Sequence, residues 1–226
     1  MHSTLLNTAS TLFGILNFNA YTSLHFVTIQ DSVYISIAMS SCSFPVFQEQ
    51  EGEWTSSKTF LLEGIRIHDF FTPNPAALRD YIVNFQTRGD DVFVVSYPKS
   101  GTTWLQEILW QVYNNGEKST TKIFDRVPML ERGTSSDRID VTALPSPRLL
   151  HTHLTYDVIP KGKAEDTKCK YIYVMRNPKD VAVSFYEFLK PKDSTSVSGF
   201  NGPWEFFARL LLEGKGESNN DAYLSI

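Results

Sequence analysis

The run Asp91-Val92-Phe93-Val94-Val95-Ser96-Tyr97-Pro98-Lys99-Ser100-Gly101-Thr102-Thr103-Trp104 constrains the fold more than any other stretch of the chain. Val92 to Val95 is an unbroken β-rich apolar run, the pattern of a strand covered on both faces in a parallel sheet. Beyond Pro98, residues Leu105, Ile108, Leu109 and Val112 recur at i, i+3, i+4 and i+7, which predicts a helix with one apolar stripe. Asn114-Asn115-Gly116 supplies its stop. A strand that turns sharply into a helix aims backbone N–H groups and the positive end of the helix dipole at one spot. Lys99 adds a charge there, and Ser100, Thr102 and Thr103 add hydroxyls, so the turn suits a phosphate or a sulfate. An ordinary turn capped by Ser or Thr is the alternative. The order Lys-Ser-Gly-Thr-Thr lacks the first glycine of a Walker A loop, which weakens a nucleoside triphosphatase reading.

With 226 residues, 42% of them hydrophobic and 13% aromatic, the chain can bury a full α/β core. A net charge of −4 argues against generic nucleic-acid binding, so an anionic ligand must be recognised by local basic groups. Two cysteines, Cys42 and Cys169, make neither a disulfide framework nor a metal set, and no Asn-x-Ser/Thr acceptor occurs. Both features fit a reducing, cytoplasmic setting. Met1 to Ala38 contains no Lys or Arg and one acidic residue, Asp31, and it matches neither a secretory nor a mitochondrial signal. Its apolar stretches are interrupted by Asn17, Asn19, Thr28, Gln30 and Asp31, so no membrane span is expected. Residues 1–53 are therefore expected to be a poorly ordered extension, with Met39 a plausible conventional start. From Trp54 the sequence turns globular: a hairpin around Glu63-Gly64, a turn framed by Pro73 and Pro75, and helical spacing in Leu78, Ile82 and Phe85.

Two later segments carry chemistry. Arg148-Leu149-Leu150-His151-Thr152-His153-Leu154 reads as a strand with His151 and His153 on one face. No third ligand stands at a plausible spacing, so zinc is disfavoured. A histidine at the carboxyl end of a parallel strand lies where open α/β sheets bind ligands, and it can move protons near neutral pH; a structural histidine is the alternative. Lys170 to Arg176 reads as another strand, followed by Asn177 as N-cap, Pro178 at the first helical position, and a helix that ends before Pro191. Arg176 at that strand's end suits a second phosphate through its fork of donors, with an ion pair to Asp180 as the alternative. Three strands thus direct polar residues at one rim. That arrangement points to transfer of an anionic group from a nucleotide-like donor with separated phosphates.

These segments together resemble the cytosolic sulfotransferase family, of sulfotransferase 1 type. The resemblance rests on Tyr97 to Trp104, on Thr152-His153-Leu154, and on Arg176-Asn177-Pro178-Lys179-Asp180 with Ser184. Arg126 to Glu131 and Ser146 to Leu149 give softer support. The resemblance implies an α/β fold, with a P-loop-like, three-layer parallel sheet flanked by helices across residues 54–215. It implies 3′-phosphoadenosine 5′-phosphosulfate (PAPS) as co-substrate, no metal, and a small phenol, steroid or amine as acceptor. Lys99, Ser100, Gly101, Thr102 and Thr103 would hold the phosphosulfate, Trp104 the adenine, and Arg176 and Ser184 the 3′-phosphate. His153 would act as base, Lys99 would neutralise the departing oxygen, and Pro128, Met129, Leu130 and His151 would line the acceptor pocket.

Two departures from the family pattern stand out. Resemblance ends near Gly214-Lys215, and residues 216–226 read as an unrelated polar tail. The family continues into an Arg-Lys-Gly clamp, another strand and a dimerisation segment, so an incomplete carboxyl-terminal side and no family dimer are expected. A catalytically impaired splice or gene-model fragment, binding nucleotide weakly or acting through partners, is the competing reading, and a P-loop phosphotransferase is a third. The second departure is His151, where the family carries a lysine beside the sulfate. Losing that permanent charge is expected to lower activity without abolishing it. His151→Lys is expected to raise turnover in a sulfuryl-transfer assay, and an unchanged rate would overturn this reading.

Overall fold

The computed structural model describes the backbone of 22–29 and 32–39, and residues 44–72, 74–162, 169–191 and 198–215 in full. The chain divides into two units, residues 1–43 and 44–226. In the first, Thr22–Ile29 (β1) and Ser32–Met39 (β2) pair antiparallel, with Thr22 opposite Met39 and Ile29 opposite Ser32. Composition predicts a poorly ordered extension here, but both segments are rich in β-branched and aromatic residues that favour strands. Residues 44–53, also expected in that extension, belong to the second unit. Val46–Phe47 (β3) pairs with Thr59–Leu62 (β6), and Gln50–Glu51 (β4) with Trp54–Thr55 (β5). The tail 216–226 and Pro73 lie outside the described residues.

The expected hairpin forms between β6 and Ile65–His68 (β7), and its turn places Glu63 and Gly64 at positive φ. Pro75–Val83 (α1) follows, capped by the Asn74 side chain, which accepts the Ala77 N–H at 3.0 Å. The centre of the unit is a parallel three-stranded sheet of Val92–Ser96 (β8), Leu149–Thr152 (β9) and Lys170–Val174 (β10), in the order β10-β8-β9. Every residue of β8 is buried, as its continuous apolar sequence predicts.

Alternation along β8 builds two cores. Phe93 and Val95 face a cluster with Phe60, Leu62, Ile65, Ile67, Leu78 and Ile82, so the β6–β7 hairpin and α1 cover that side. Val92 and Val94 pack with Leu109, Val127 and Leu149, so Thr102–Tyr113 (α2) and Ile123–Arg126 (α3) cover the other. A third cluster joins Tyr97 to Pro178–Leu189 (α4) and Trp204–Leu212 (α5) through Val181, Phe185, Phe206 and Phe207. The result is the expected P-loop-like parallel sheet within α/β layers.

The predicted stripe of α2 is rotated. Leu109 is buried, but Ile108 and Val112 are exposed, and the inward face is completed by Thr102 and Gln106. The hydroxyls of Thr102 and Ser96, 2.6 Å apart, tie the first turn of α2 to the end of β8. Arg148 also departs from expectation. It precedes β9 and places its guanidinium on Asp91, with Nε 2.7 Å from Oδ1 and Nη2 2.5 Å from Oδ2. Asp91 also accepts the Arg88 N–H at 2.7 Å, and Arg148 donates to the Gln86 carbonyl at 2.8 Å. Both partners are buried, at 2% and 0% side-chain exposure.

Removing one member of such a pair strands the other charge. Asp91→Ala is therefore expected to cost about 3–5 kcal/mol in urea unfolding. An Asp91→Leu/Arg148→Met variant is expected to lose less, because neither charge is left buried alone.

Candidate functional site

Parallel pairing sets the site. Val174 lies opposite Ser96, and Val95 opposite Thr152, so the carboxyl ends of β10, β8 and β9 are level. Lys99 follows three residues after β8, His153 one after β9, and Arg176 two after β10. The three sequence-predicted centres therefore emerge at one rim, where open α/β sheets hold ligands.

The loop after β8 is built for close approach to an anion. Gly101 caps α2 at φ 111°, a conformation that favours glycine, and Lys99 takes φ 67°, unusual for a side-chain-bearing residue. Strained backbone of this kind concentrates at ligand sites. The first-turn N–H groups of α2 have no partner within the helix and point towards this loop. Ser100 and Thr102 are buried, whereas Thr103 is exposed and Trp104 is 73% exposed. Thr102 is spent on the Ser96 hydroxyl, so its side chain serves the loop's shape. The Lys99 Nζ lies 4.5 Å from the centre of the Phe188 ring on α4, a cation–π contact that sequence reasoning missed.

Arg176 joins this loop directly: its Nη1 donates to the Lys99 carbonyl at 3.3 Å. Among the described residues it makes no ion pair with Asp180. Ser184 is half-buried on α4, one turn before Phe188 and so on the same side of the helix. Asn177 caps α4 as predicted, accepting the Lys179 N–H at 3.0 Å. Two basic groups thus stand at the loop, Lys99 on Phe188 and Arg176 exposed.

His153 is half-buried beside them, and its Nδ1 lies 2.8 Å from the Ser96 carbonyl. A carbonyl can only accept, so Nδ1 carries the hydrogen and the neutral ring keeps its lone pair on Nε2. Burial pushes the His153 pKa down to about 4, against the Ser96 carbonyl and with help from the Lys99 charge. The ring is therefore neutral at pH 7, the form that accepts a proton. Phe71 flanks it, with ring centres 6.2 Å apart.

His151 takes a different role from the expected one. It is 2% exposed, its Nδ1 donates to the Val127 carbonyl at 2.8 Å, and burial, reinforced by His153, lowers its pKa to about 3. It is a neutral side chain and supplies no charge to the rim. The segment before it forms an extra rung beside β9: Met129 bridges to His151, and the His151 N–H donates to the Pro128 carbonyl at 3.1 Å. Leu130, expected to line the acceptor pocket, is fully buried in the main core. Pro128 and Met129 are buried as well. The next residue, Glu131, is 1% exposed and accepts the His153 backbone N–H at 2.5 Å. Glu131 entered the sequence reading only as the end of the Arg126 to Glu131 segment and Phe188 only as a helix residue, because their contacts with His153 and Lys99 are made across the fold.

Among the described residues, no group of three or more His, Cys, Asp or Glu side chains could hold a metal ion, and no helix is long and apolar enough to cross a membrane.

Mouse sulfotransferase 1B1 is 43% identical over 140 residues, covering 59% of this chain and 46% of the relative. Rabbit amine sulfotransferase is 47% identical over 135 residues, covering 58% and 43%. The alignments thus span less than half the length of these curated relatives. Among solved structures, an Arabidopsis thaliana putative steroid sulphotransferase superposes with a TM-score of 0.59 at 26% identity, over 78% of this chain and 60% of that one. Mouse sulfotransferase SULT7A1, complexed with PAP, superposes with a TM-score of 0.52 at 30% identity, over 69% and 51%. Residues 89–217 match the family described as the sulfotransferase domain, and they contain the loop after β8, His153 and Arg176 alike. By that match over more than half its length, the chain belongs to the sulfotransferase family.

Proposed function

We propose that the site serves sulfuryl transfer from PAPS to a hydroxyl or amine of a small acceptor such as a phenol, a steroid or an amine. The observation that carries this reading is the neutral His153, with its Nε2 lone pair free, beside a loop that offers backbone N–H groups and Lys99 to an anion. The acceptor oxygen or nitrogen attacks sulfur and forms a bond to it, while the bond from sulfur to the phosphate oxygen breaks. His153 Nε2 takes the acceptor's proton, and Lys99 leaves Phe188 to meet the charge that grows on the departing oxygen. Placement and charge neutralisation carry most of such a transfer, and a well-placed base adds about 10²–10⁴-fold.

Lys99, Ser100, Gly101, Thr102 and Thr103 hold the 5′ end of the donor in this reading. Trp104, already exposed, stacks on adenine, and Arg176 with Ser184 takes the 3′-phosphate. Complexes of relatives with PAP support the donor assignment for this chain. Pro128 and Met129 border the acceptor side from behind, and the aromatic faces of Phe71 and Phe188 offer it an apolar surface. Because His151 is neutral, Lys99 is left to meet the leaving group's charge without a second cation from β9.

Calorimetric titration with 3′-phosphoadenosine 5′-phosphate and, separately, with ATP and magnesium tests the donor. Saturable binding of the first alone is expected, and Lys99→Ala is expected to weaken it. Binding of neither nucleotide leaves the chain a non-catalytic relative, and magnesium-dependent ATP binding favours a phosphotransferase; either overturns the proposal.

Protonation of the base is testable directly. A depressed pKa means that the neutral, proton-accepting ring persists as pH falls through the ordinary histidine range. The NMR signals of the His153 ring should stay constant from pH 7.5 to 5.5 and titrate only near 4. A midpoint near 6.5 would show a solvated histidine and overturn the buried, Ser96-tethered placement of the ring.

A further inference from the structure

We infer that Glu131 is a positioning residue for His153: its buried carboxyl grips the His153 backbone N–H and fixes where the imidazole leaves the end of β9. The inference rests on the reading of His153 as the base.

The geometry is specific. Glu131 sits in the short 3-10 turn Leu130–Arg132, 22 positions before His153, and reaches the first residue beyond β9. Oε1 accepts the His153 N–H at 2.5 Å. On the ring, Nδ1–H donates to the Ser96 carbonyl at 2.8 Å. His153 is therefore held at two points: its backbone by Glu131 and its ring by the end of β8. With both anchored, the lone pair on Nε2 has one direction. Thr152, one residue earlier, accepts the Leu154 N–H on its hydroxyl at 3.1 Å and closes the turn on the other side.

Burying this carboxyl has a cost that packing alone does not explain. Glu131 is 1% exposed, and its Oε2 has no hydrogen-bond partner among the described residues. Burial raises the pKa to about 7, and the N–H of His153 opposes that rise. An apolar residue of similar volume would fill the same space without desolvating a carboxyl. A buried carboxyl in direct contact with the residue next to the chemistry is better explained by the bond it makes. Displacement of a reacting group by about 1 Å can cost 10²-fold in rate, so a small backbone shift at His153 matters.

Three variants test the role: Glu131→Gln keeps volume and an acceptor oxygen, Glu131→Asp keeps the charge but falls short, and Glu131→Ala removes both. Expected for Ala and Asp is a kcat about 10–100-fold lower per folded molecule, with donor and acceptor KM values within about twofold, and Gln recovers most of the rate. In ¹⁵N NMR the His153 amide proton, strongly downfield in the parent, should move upfield in Asp and Ala and little in Gln. Where Ala fails to fold, the Asp and Gln pair decides. A rate per folded molecule that is unchanged in Asp, or a Gln variant as impaired as Asp, overturns the inference, because a merely structural carboxyl would move only the melting temperature. If the parent protein transfers no sulfuryl group, the functional reading fails, and the His153 amide and ring signals still decide the positioning. Ring signals identical in the parent and in Asp would then overturn it.

Discussion

Parallel pairing of β8 on both edges is the constraint on which the rest of the structure depends. Because β9 and β10 run in the same direction as β8, and in level register, all three carboxyl ends open on the same rim. Each strand then contributes one polar feature without bending: the loop of Lys99, the imidazole of His153 and the guanidinium of Arg176. Burial of every β8 residue makes the register costly to slip, since one step would exchange Val92 and Val94 with Phe93 and Val95 between two different cores.

Buried polar groups hold the two ends of this sheet in different ways. At the amino ends, Asp91 and Arg148 form a two-pronged ion pair that also collects the Arg88 N–H and the Gln86 carbonyl, so most of their bonding capacity is used. Such saturation makes a rigid base. At the carboxyl ends, His153 is tethered by its Nδ1 and its backbone N–H, while Glu131 Oε2 has no hydrogen-bond partner among the described residues.

Local chemistry was legible wherever the residues concerned lie close together in the chain. The turn from β8 into α2, the Asn177 cap with Pro178 behind it, and the Glu63-Gly64 hairpin were all readable, because each depends on neighbouring residues and their backbone preferences. Spacing alone misjudged the α2 stripe, since the face packed on the sheet is that of Thr102, Gln106 and Leu109, with Thr102 bonded to Ser96 at the end of β8. Nor does spacing show the burial of Leu130 and Arg148, which is set by α1, the hairpin and Asp91, all more than 40 residues away in the chain.

What the sequence by itself determined was the anion-seeking turn from Tyr97 to Trp104, the order of the three strands' polar ends and, through them, the family. Short-range patterns of charge, glycine and apolar period are written residue by residue and survive without a fold. Only the tertiary structure decided how differently the two histidines are surrounded. His151 and His153 differ little in sequence, but the fold buries one against the Val127 carbonyl and leaves the other half-buried beside Lys99. It likewise decided that Glu131 grips the His153 backbone and that Phe188 receives Lys99. Charge state, desolvation and contact depend on surroundings assembled from distant parts of the chain, and no local pattern encodes them.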